Sequence, residues 1–198
     1  PRRSSPSRMI CAPPITRLRL RAGFIDDREA QGRFDADLDE MDMMIEATLT
    51  YLKGGDDADA RRPTDLSSLI ATVVDDLADA GHVIAWDGPP HAVALLRPIA
   101  IKRALVNLAQ NAVTHGGAAH LTLAPRDAGW RVVITDDGPG IPAADLARVR
   151  EPFQRLDPSR NRNRSSGGVG LGLAIAIQAV EAEGGTLELS NREAGGLA

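Results

Sequence analysis

The segment at residues 54–59, Gly-Gly-Asp-Asp-Ala-Asp, separates two parts of the chain whose hydrophobic residues follow different patterns. Glycines and solvated acids are typical of a flexible linker, so we place a domain boundary there. Before this segment, apolar residues recur every three or four positions, whereas the pattern after it mixes helices with strands. The sequence predicts an α+β fold class, with a helical element at residues 15–55, a linker at 56–63 and a second domain at 64–198.

The helical element is predicted to be a hairpin of two helices. Ile15, Leu18 and Ala22 follow helical spacing, and Asp26-Asp27 offers an N-cap for the second helix. A hairpin of this size cannot bury two apolar stripes alone, so we expect it to pair with a second copy as a four-helix bundle. The alternative is a helical pair packed on the rest of its own chain. The stripe of the second helix consists of Phe34, Leu38, Met41, Ile45, Leu49 and Leu52.

Composition excludes several classes of protein. A net charge of −4 gives no general case for nucleic-acid binding, and the single cysteine, Cys11, excludes an intramolecular disulfide and a cysteine-cluster metal site. No apolar run reaches the roughly 18 residues that cross a bilayer, so we expect this part to be cytoplasmic, although its parent protein can be membrane-bound. Residues 1–14 are basic, turn-rich and aperiodic, which predicts a disordered tail.

The second domain is predicted to contain three helices and five strands, assigned from the apolar period and from turn residues. The helices are expected at 65–79, 99–114 and 171–182, and the strands at 82–86, 92–96, 119–124, 130–135 and 186–190.

Two asparagines, Asn107 and Asn111, lie four residues apart in the second of these helices and therefore share one face. Asparagine is mildly unfavourable inside a helix, so a pair on one face points to a function. A carboxamide oxygen is a hard, neutral ligand that suits Mg²⁺. The alternative is two solvated polar residues.

An acidic, glycine-containing turn, Asp136-Asp137-Gly138-Pro139-Gly140, follows an alternating strand. A buried carboxylate here could accept a hydrogen bond from the exocyclic amine of adenine, a contact that guanine, with a carbonyl at that position, does not offer. Taken alone, this motif is more often a plain turn.

A phenylalanine, Phe153, precedes the polar and basic stretch 157–166, which is typical of a mobile lid whose arginines meet phosphate oxygens. The alternative is a disordered surface loop. The run Gly167-Gly168-Val169-Gly170-Leu171-Gly172-Leu173-Ala174 then opens a helix and can direct N–H groups at an anion. It fits neither a Walker A loop nor a dinucleotide-binding fingerprint.

The order of these four motifs resembles the N, G1, F and G2 boxes of GHKL ATPases, and within them the EnvZ-like sensor histidine kinases, over about Ile15 to Leu197. The resemblance implies a two-layer α/β sandwich of the GHKL (Bergerat) type behind a dimerising hairpin, with its last strand missing or truncated. It also implies ATP and Mg²⁺ as cofactors, histidine kinase activity, a homodimer, and a response regulator of the OmpR type as partner. Mechanical GHKL ATPases related to Hsp90 or MutL fit less well, because a hairpin precedes the ATP domain.

The resemblance also assigns roles to residues. Asn111 would bind Mg²⁺, Asn107 would line the phosphate side, and Asp136 would hold the adenine amino group. Two positions depart from the family pattern: Thr114 stands where a basic residue is common, and His115 where an aromatic residue is common. The expected ATP-binding residues are Asn107, Asn111, His115, Asp136, Gly138, Gly140, Ile141, Phe153, Arg160, Gly168, Gly170, Leu171, Gly172 and Leu173.

The family transfers the γ-phosphoryl group to a histidine five residues before the position of Pro14, and Met9 occupies that place. A thioether cannot accept phosphoryl as imidazole does. Either the chain is a pseudokinase, an ATP-binding dimeric regulatory module, or residues 1–14 are a frameshifted reading. The second explanation has support from the genetic code. Codons can be chosen for residues 6–14 such that translation starting at the third base gives Phe-Ser-His-Asp-Leu-Arg-Thr-Pro, which is a regular phosphoacceptor box.

Overall fold

The computed structural model describes residues 8–53, 60–127, 129–154 and 170–198. A single-turn 3₁₀ helix spans Arg148–Arg150. The α-helices and strands, in chain order, are α1 (Arg8–Ala22), α2 (Arg28–Lys53), β1 (Arg62–Asp65), α3 (Leu66–Asp79), β2 (Val83–Asp87), β3 (Val93–Leu96), α4 (Pro98–Gly116), β4 (Ala118–Arg126), β5 (Gly129–Asp136) and α5 (Gly172–Ala182).

The second domain has two layers, a sheet and the helices that cover one face of it. In the three-stranded sheet β4 is central, parallel to β2 and antiparallel to β5, while β1 and β3 form a separate antiparallel pair. Side chains on a strand alternate between faces, and Leu121 and Leu123 of β4 pack against Ile70 and Val73 of α3 and Ala109 of α4. The expected α+β sandwich is confirmed, with an aliphatic core.

The start of α3 is fixed by Asp65, the last residue of β1. Its Oδ1 accepts hydrogen bonds from the N–H groups of Ser67 (3.0 Å) and Ala92 (2.9 Å), and its Oδ2 bonds His91 Nδ1 (2.9 Å). The bond from His91, followed by that from Ala92, lowers the pKa of Asp65 to about 2. The N-cap of α3 therefore also ties β1 to the residues that lead into β3.

The first two helices form the expected hairpin. Ile15 and Ala22 of α1 are buried against Leu38 of α2, and the Arg19 guanidinium binds Asp39 and Asp42 of α2 at 2.8 and 2.7 Å. A stripe of α2 stays open to solvent: Phe34, Met41 and Met44 are each more than 40% exposed. No helix among the described residues is both long and apolar enough to cross a membrane.

The predicted tail at residues 1–14 is wrong for residues 8–14, because α1 begins at Arg8. Pro13 and Pro14 lie inside this helix, although a proline there lacks the backbone N–H and crowds the carbonyl four residues earlier, which costs about 3 kcal/mol or more. The remaining residues, 1–7, lie outside the described part of the chain. The basic, turn-rich composition predicted a tail here, but a helix that has already formed extends more easily than a new one begins.

The second domain begins earlier than predicted. The linker was expected at 56–63, yet β1 begins at Arg62 and pairs with β3 from Arg62–Leu96 to Asp65–Val93. Arg-Pro-Thr-Asp shows no alternation, so only its pairing partner identifies it as a strand. Residues 56–59 lie outside the described residues.

The strand expected at 186–190 is not formed, since no described strand pairs with it. Instead the chain turns at Gly195 and Gly196, both with left-handed φ, so that Ser190 and Ala198 exchange two backbone hydrogen bonds of 2.8 Å. An isolated bridge between Asn191 and Leu197 completes this turn. We call residues 190–198 the C-terminal turn.

Candidate functional site

One face of α4 carries the predicted asparagines. Asn107 is half-buried beside the start of α5, where a Cβ at Gly172 would lie 3.5 Å from Asn107 Oδ1. Asn111 and His115 follow at four-residue intervals and are exposed. The helix therefore presents three polar side chains on one face, two of them free to meet a ligand.

The Asp136 carboxylate is oriented by backbone donors. Its Oδ1 accepts the N–H groups of Gly138 (2.8 Å) and Leu197 (3.3 Å), and the first contact forms an Asx-turn. Its Oδ2 has no hydrogen bond to a described residue, although an ionised carboxylate has acceptor sites on both oxygens. The half-buried side chain therefore keeps one oxygen available to a donor from outside the protein.

The C-terminal end of α4 is in contact with the loop after β5. A Cβ at Gly138 would lie 3.0 Å from the His115 carbonyl oxygen and 3.2 Å from Gly116 Cα, and one at Gly116 would lie 3.0 Å from Asp136 Oδ1. Only glycines allow this approach of helix and loop. Gly116 was not predicted as a site residue, because Gly116-Gly117 reads from sequence only as a helix end.

The described residues on the two sides of the segment 155–169, Phe153 and Gly170, are in contact. The Phe153 N–H donates to the Gly170 carbonyl at 2.9 Å, and both residues have left-handed φ values of 65° and 75°. A Cβ at Gly170 would lie 2.9 Å from the Gln154 carbonyl oxygen, so the close approach requires glycine. The segment predicted to be a lid, with Arg160 and Gly168, lies outside the described residues.

The N-terminus of α5 follows directly. Leu171 is its N-cap residue and provides no side-chain cap, so the backbone N–H groups of the first turn, at Gly172, Leu173 and Ala174, are not satisfied by a cap. Leu171 as a whole residue is 1% exposed, so neither its side chain nor its backbone is open to a ligand in this structure, whereas Leu173 is half-buried. A helix end of this kind attracts an anion.

The structure thus places the predicted motifs around α4. The start of α5 lies beside Asn107, and the Asp136 loop lies against Gly116, nine residues or about 14 Å further along the helix. A carboxylate oxygen without a hydrogen bond to a described residue and the N-terminus of a helix therefore lie at opposite ends of one polar face of α4.

Three functional candidates in the C-terminal turn were missed by sequence reasoning. Asn191 forms two hydrogen bonds with the backbone of Ile141. Arg192 binds the Asp136 carbonyl, and Leu197 donates to the Asp136 side chain. No local pattern signals these contacts, since each joins residues at least 50 positions apart.

A cluster of acids, histidines or cysteines that could hold a metal ion is absent from the described residues. The described residues of α4 offer the exposed carboxamide oxygen of Asn111 to a hard cation, and further ligands would come from water and from the phosphates of a nucleotide. This set suits an ion such as Mg²⁺, which keeps several waters and relies on substrate phosphates for ligands.

Among the described residues, one surface cavity lies away from this site and another lies beside the Asp136 loop. A groove of 470 Å³ between α3 and α4 is lined by Leu69, Ile99, Lys102 and Arg103, among others. A smaller cavity of 290 Å³ is lined by His120 and Thr135, on the sheet face that α3 and α4 do not cover, and by Asp137 and Arg192. Neither is lined by a residue predicted to bind ATP.

Residues 97–198 match the family model described as histidine kinase-, DNA gyrase B-, and HSP90-like ATPase. Among curated relatives, the sensor histidine kinase GtrS of Pseudomonas aeruginosa is 35% identical over 93% of this chain and 37% of its own length. The sensor protein CutS of Streptomyces coelicolor is 30% identical over 79% of this chain and 39% of its own length. The chain therefore spans about two fifths of these relatives.

Solved structures are similar as well. Full-length ShkA in complex with AMPPNP superposes with a TM-score of 0.73 at 25% identity, covering 96% of this chain and 42% of ShkA. The histidine kinase domain of the E. coli osmosensor EnvZ has a TM-score of 0.53 at 30% identity, covering 69% of this chain and 83% of that domain.

Proposed function

The chain belongs to the family of histidine kinase-, DNA gyrase B- and HSP90-like ATPases, as an EnvZ-like sensor histidine kinase catalytic domain, and on this basis we propose that it binds ATP with Mg²⁺ in the site on α4. The observation that carries the proposal is the free Asp136 Oδ2. Because Oδ1 of the same carboxylate already accepts two hydrogen bonds, Oδ2 is the oxygen suited to accept a hydrogen bond from the exocyclic amine of adenine. The AMPPNP complex of ShkA, an adenine nucleotide bound to a similar fold, supports the same ligand class.

The phosphates are proposed to lie at the other end of α4. Asn107 and the first-turn N–H groups of α5 at Gly172 and Leu173 provide donors there. The family resemblance adds Arg160 and Gly168, which lie outside the described residues. His115 and Gly140 are assigned to the base end, and Phe153 and Gly170 to the base of the lid.

Asn111 is proposed to hold Mg²⁺, because its exposed carboxamide lies between the two ends of the site. A bound ion would neutralise part of the negative charge on the phosphates of the nucleotide. Phosphoryl transfer needs little covalent chemistry from the protein, so its residues act by orienting the nucleotide and excluding water.

The proposed reaction is transfer of the γ-phosphoryl group to a histidine, with release of ADP, followed by transfer to a response regulator of the OmpR type. Histidine kinases of this kind act as dimers, and the exposed stripe of Phe34, Met41 and Met44 on α2 supports a homodimeric four-helix bundle. A membrane-anchored sensor part joined to this chain stays a prediction.

Met9 favours a second function. It occupies the phosphoacceptor position within α1, and the four histidines of the sequence stand at 82, 91, 115 and 120, all beyond the hairpin. A chain without an acceptor would be a pseudokinase that binds ATP and regulates a partner. The alternative explanation, a frameshift over residues 1–14, is tested by the nucleotide sequence of the gene: the idea fails if no other frame encodes the box.

One experiment separates these functions. The chain is incubated with ATP labelled on its γ-phosphate, beside a variant in which residues 7–13 are replaced by Phe-Ser-His-Asp-Leu-Arg-Thr. We expect no label on the first and acid-labile label on the second. Absence of label on both, with ATP bound by both, supports the pseudokinase. Steady ATP hydrolysis without labelled protein would instead support a mechanical ATPase.

A further inference from the structure

We infer that Asn191 and Arg192 of the C-terminal turn are positioning residues that set the preference of the site for adenine. The inference rests on the proposed ATP-binding function and adds two residues to it. Neither side chain is expected to touch the nucleotide, since both act on the backbone of the loop that carries Asp136.

Asn191 binds both polar backbone atoms of Ile141. Its Oδ1 accepts the Ile141 N–H at 2.9 Å, and its Nδ2 donates to the Ile141 carbonyl at 2.7 Å. The side-chain amide of Asn191 thereby makes the two hydrogen bonds that a neighbouring strand would otherwise make with the backbone of Ile141. It also explains Gly140, whose φ is +70° and where a Cβ would lie 2.6 Å from Asn191 Oδ1. The loop and the asparagine are fitted to each other so closely that no side chain fits between them.

Arg192 binds the other end of the loop. Its Nη1 donates to the Asp136 carbonyl at 2.6 Å and lies 3.0 Å from Asp137 Oδ1. The neighbouring Leu197 accepts the Asp136 N–H at 3.1 Å and donates its own N–H to Asp136 Oδ1. Residues of the C-terminal turn therefore fix both the backbone and the carboxylate of Asp136. As a result, the Asp136 Oδ2 atom points in one defined direction.

This arrangement matters for selectivity because a hydrogen bond weakens steeply as its angle and length depart from the optimum. Discrimination between an amine and a carbonyl on a purine depends on the position of one oxygen atom, and a site must hold such a group within about 0.5 Å. The phosphates are proposed to bind at α5, about 14 Å away along α4. Loosening the loop should therefore reduce the preference for adenine without weakening phosphate binding.

The test measures binding of ATP, GTP and inorganic tripolyphosphate, each with Mg²⁺, by calorimetry. In Asn191→Asp the side chain keeps its shape, but a carboxylate oxygen replaces the donor that faces the Ile141 carbonyl. We expect the ratio of ATP to GTP affinity to fall about tenfold, the equivalent of one lost hydrogen bond. Tripolyphosphate affinity should stay within about twofold, which a general loss of structure would not allow.

A second pair of variants tests Arg192. Arg192→Met removes the donor and keeps only an unbranched apolar side chain, whereas Arg192→Lys keeps a cationic donor on a side chain that is one atom shorter than that of arginine. We expect Met to reduce the adenine preference and Lys to restore most of it. Arg131→Met, at an exposed position of β5, is the matched control and should leave the preference unchanged.

The outcomes are distinct. If the unchanged chain binds neither ATP nor tripolyphosphate, the proposed function fails. If it prefers ATP, and Asn191→Asp and Arg192→Met prefer it equally strongly, the inference about the C-terminal turn is wrong. If the circular dichroism spectrum shows that Asn191→Asp is unfolded, the inference is tested by comparing the adenine preference of Arg192→Met with that of Arg192→Lys. Equal preference in these two variants would contradict it.

Discussion

Gly116, the last residue of α4, lies directly against the side chain of Asp136, the last residue of β5: a Cβ at position 116 would stand 3.0 Å from both Asp136 Cγ and Oδ1. Gly116→Ala should therefore push the Asp136 carboxylate aside. We expect ATP affinity, measured by calorimetry, to fall by about tenfold or more, since it loses a bond to a charged group. Gly32→Ala, in the interior of α2 with no atom within 4 Å of the new methyl group, is the control and should stabilise the hairpin by about 0.5–1 kcal/mol.

Two neighbouring glycines of the C-terminal turn offer a matched pair. Gly195 and Gly196 both have left-handed φ, of 94° and 82°, so alanine is strained at either position. Only at Gly196 would the methyl group also collide with the Asp136 carbonyl oxygen, whereas at Gly195 it meets nothing within 4 Å. We expect both variants to lose about 1 kcal/mol of stability in urea titrations and Gly196→Ala to lose ATP binding as well. Equal ATP affinity in the two variants would contradict the contact.

The N-cap of α3 predicts a dependence of stability on pH. The pKa of Asp65 is lowered from 3.8 to about 2, chiefly by His91, so the ionised form is favoured in the folded state. Its contribution to stability is full above about pH 4 and is lost as the pH falls through about 2. We expect the free energy of unfolding to fall more steeply between pH 4 and 2 in the unchanged chain than in Asp65→Ala. Asp75→Ala, an exposed position of α3, should keep the steep dependence.

The C-terminus of α5 is held by two arginines. The Glu183 carboxylate, 12% exposed, lies 2.9 Å from both Arg61 and Arg97, and each arginine also donates to the Ala182 carbonyl. Glu183→Gln removes the charge between two cations in a partly desolvated place, so we expect a loss of about 1–3 kcal/mol in the free energy of unfolding. Glu181→Gln, at an exposed position of the same helix, should change it by less than about 0.5 kcal/mol.

Local patterns predicted the main elements of the second domain well. Helix α3 was expected at 65–79 and spans Leu66–Asp79, because its apolar period and its aspartate cap are both local signals. Asp136 and Gly138 could also be predicted, since the turn they form is encoded by neighbouring residues. The Gly116 approach and the Asn191 and Arg192 contacts could not, because their partners are distant in sequence.

The difference between local patterns and contacts distant in sequence also explains which elements were predicted wrongly. Strand β1 has no alternation and exists through its pairing with β3, and the expected strand at 186–190 alternates but has no described partner. Helix α1 extends to Arg8 through two prolines that local propensity excludes. A strand is defined by its neighbour as much as by its own residues, so sequence patterns are least informative there.

The central claim is that the free oxygen of Asp136 recognises an adenine nucleotide. Calorimetric titration of the chain with ATP and Mg²⁺, beside Asp136→Asn and Asp137→Asn, tests it most directly. In Asp136→Asn the amide must turn its donor either toward the Gly138 and Leu197 N–H groups or toward the adenine amine, so we expect ATP affinity to fall by about 10- to 100-fold. Asp137→Asn, whose side chain is 77% exposed and whose Oδ1 can still accept the hydrogen bond from Arg192, should bind ATP as the unchanged chain does. Equal affinity of Asp136→Asn and the unchanged chain, or no heat of binding in either, would contradict the account.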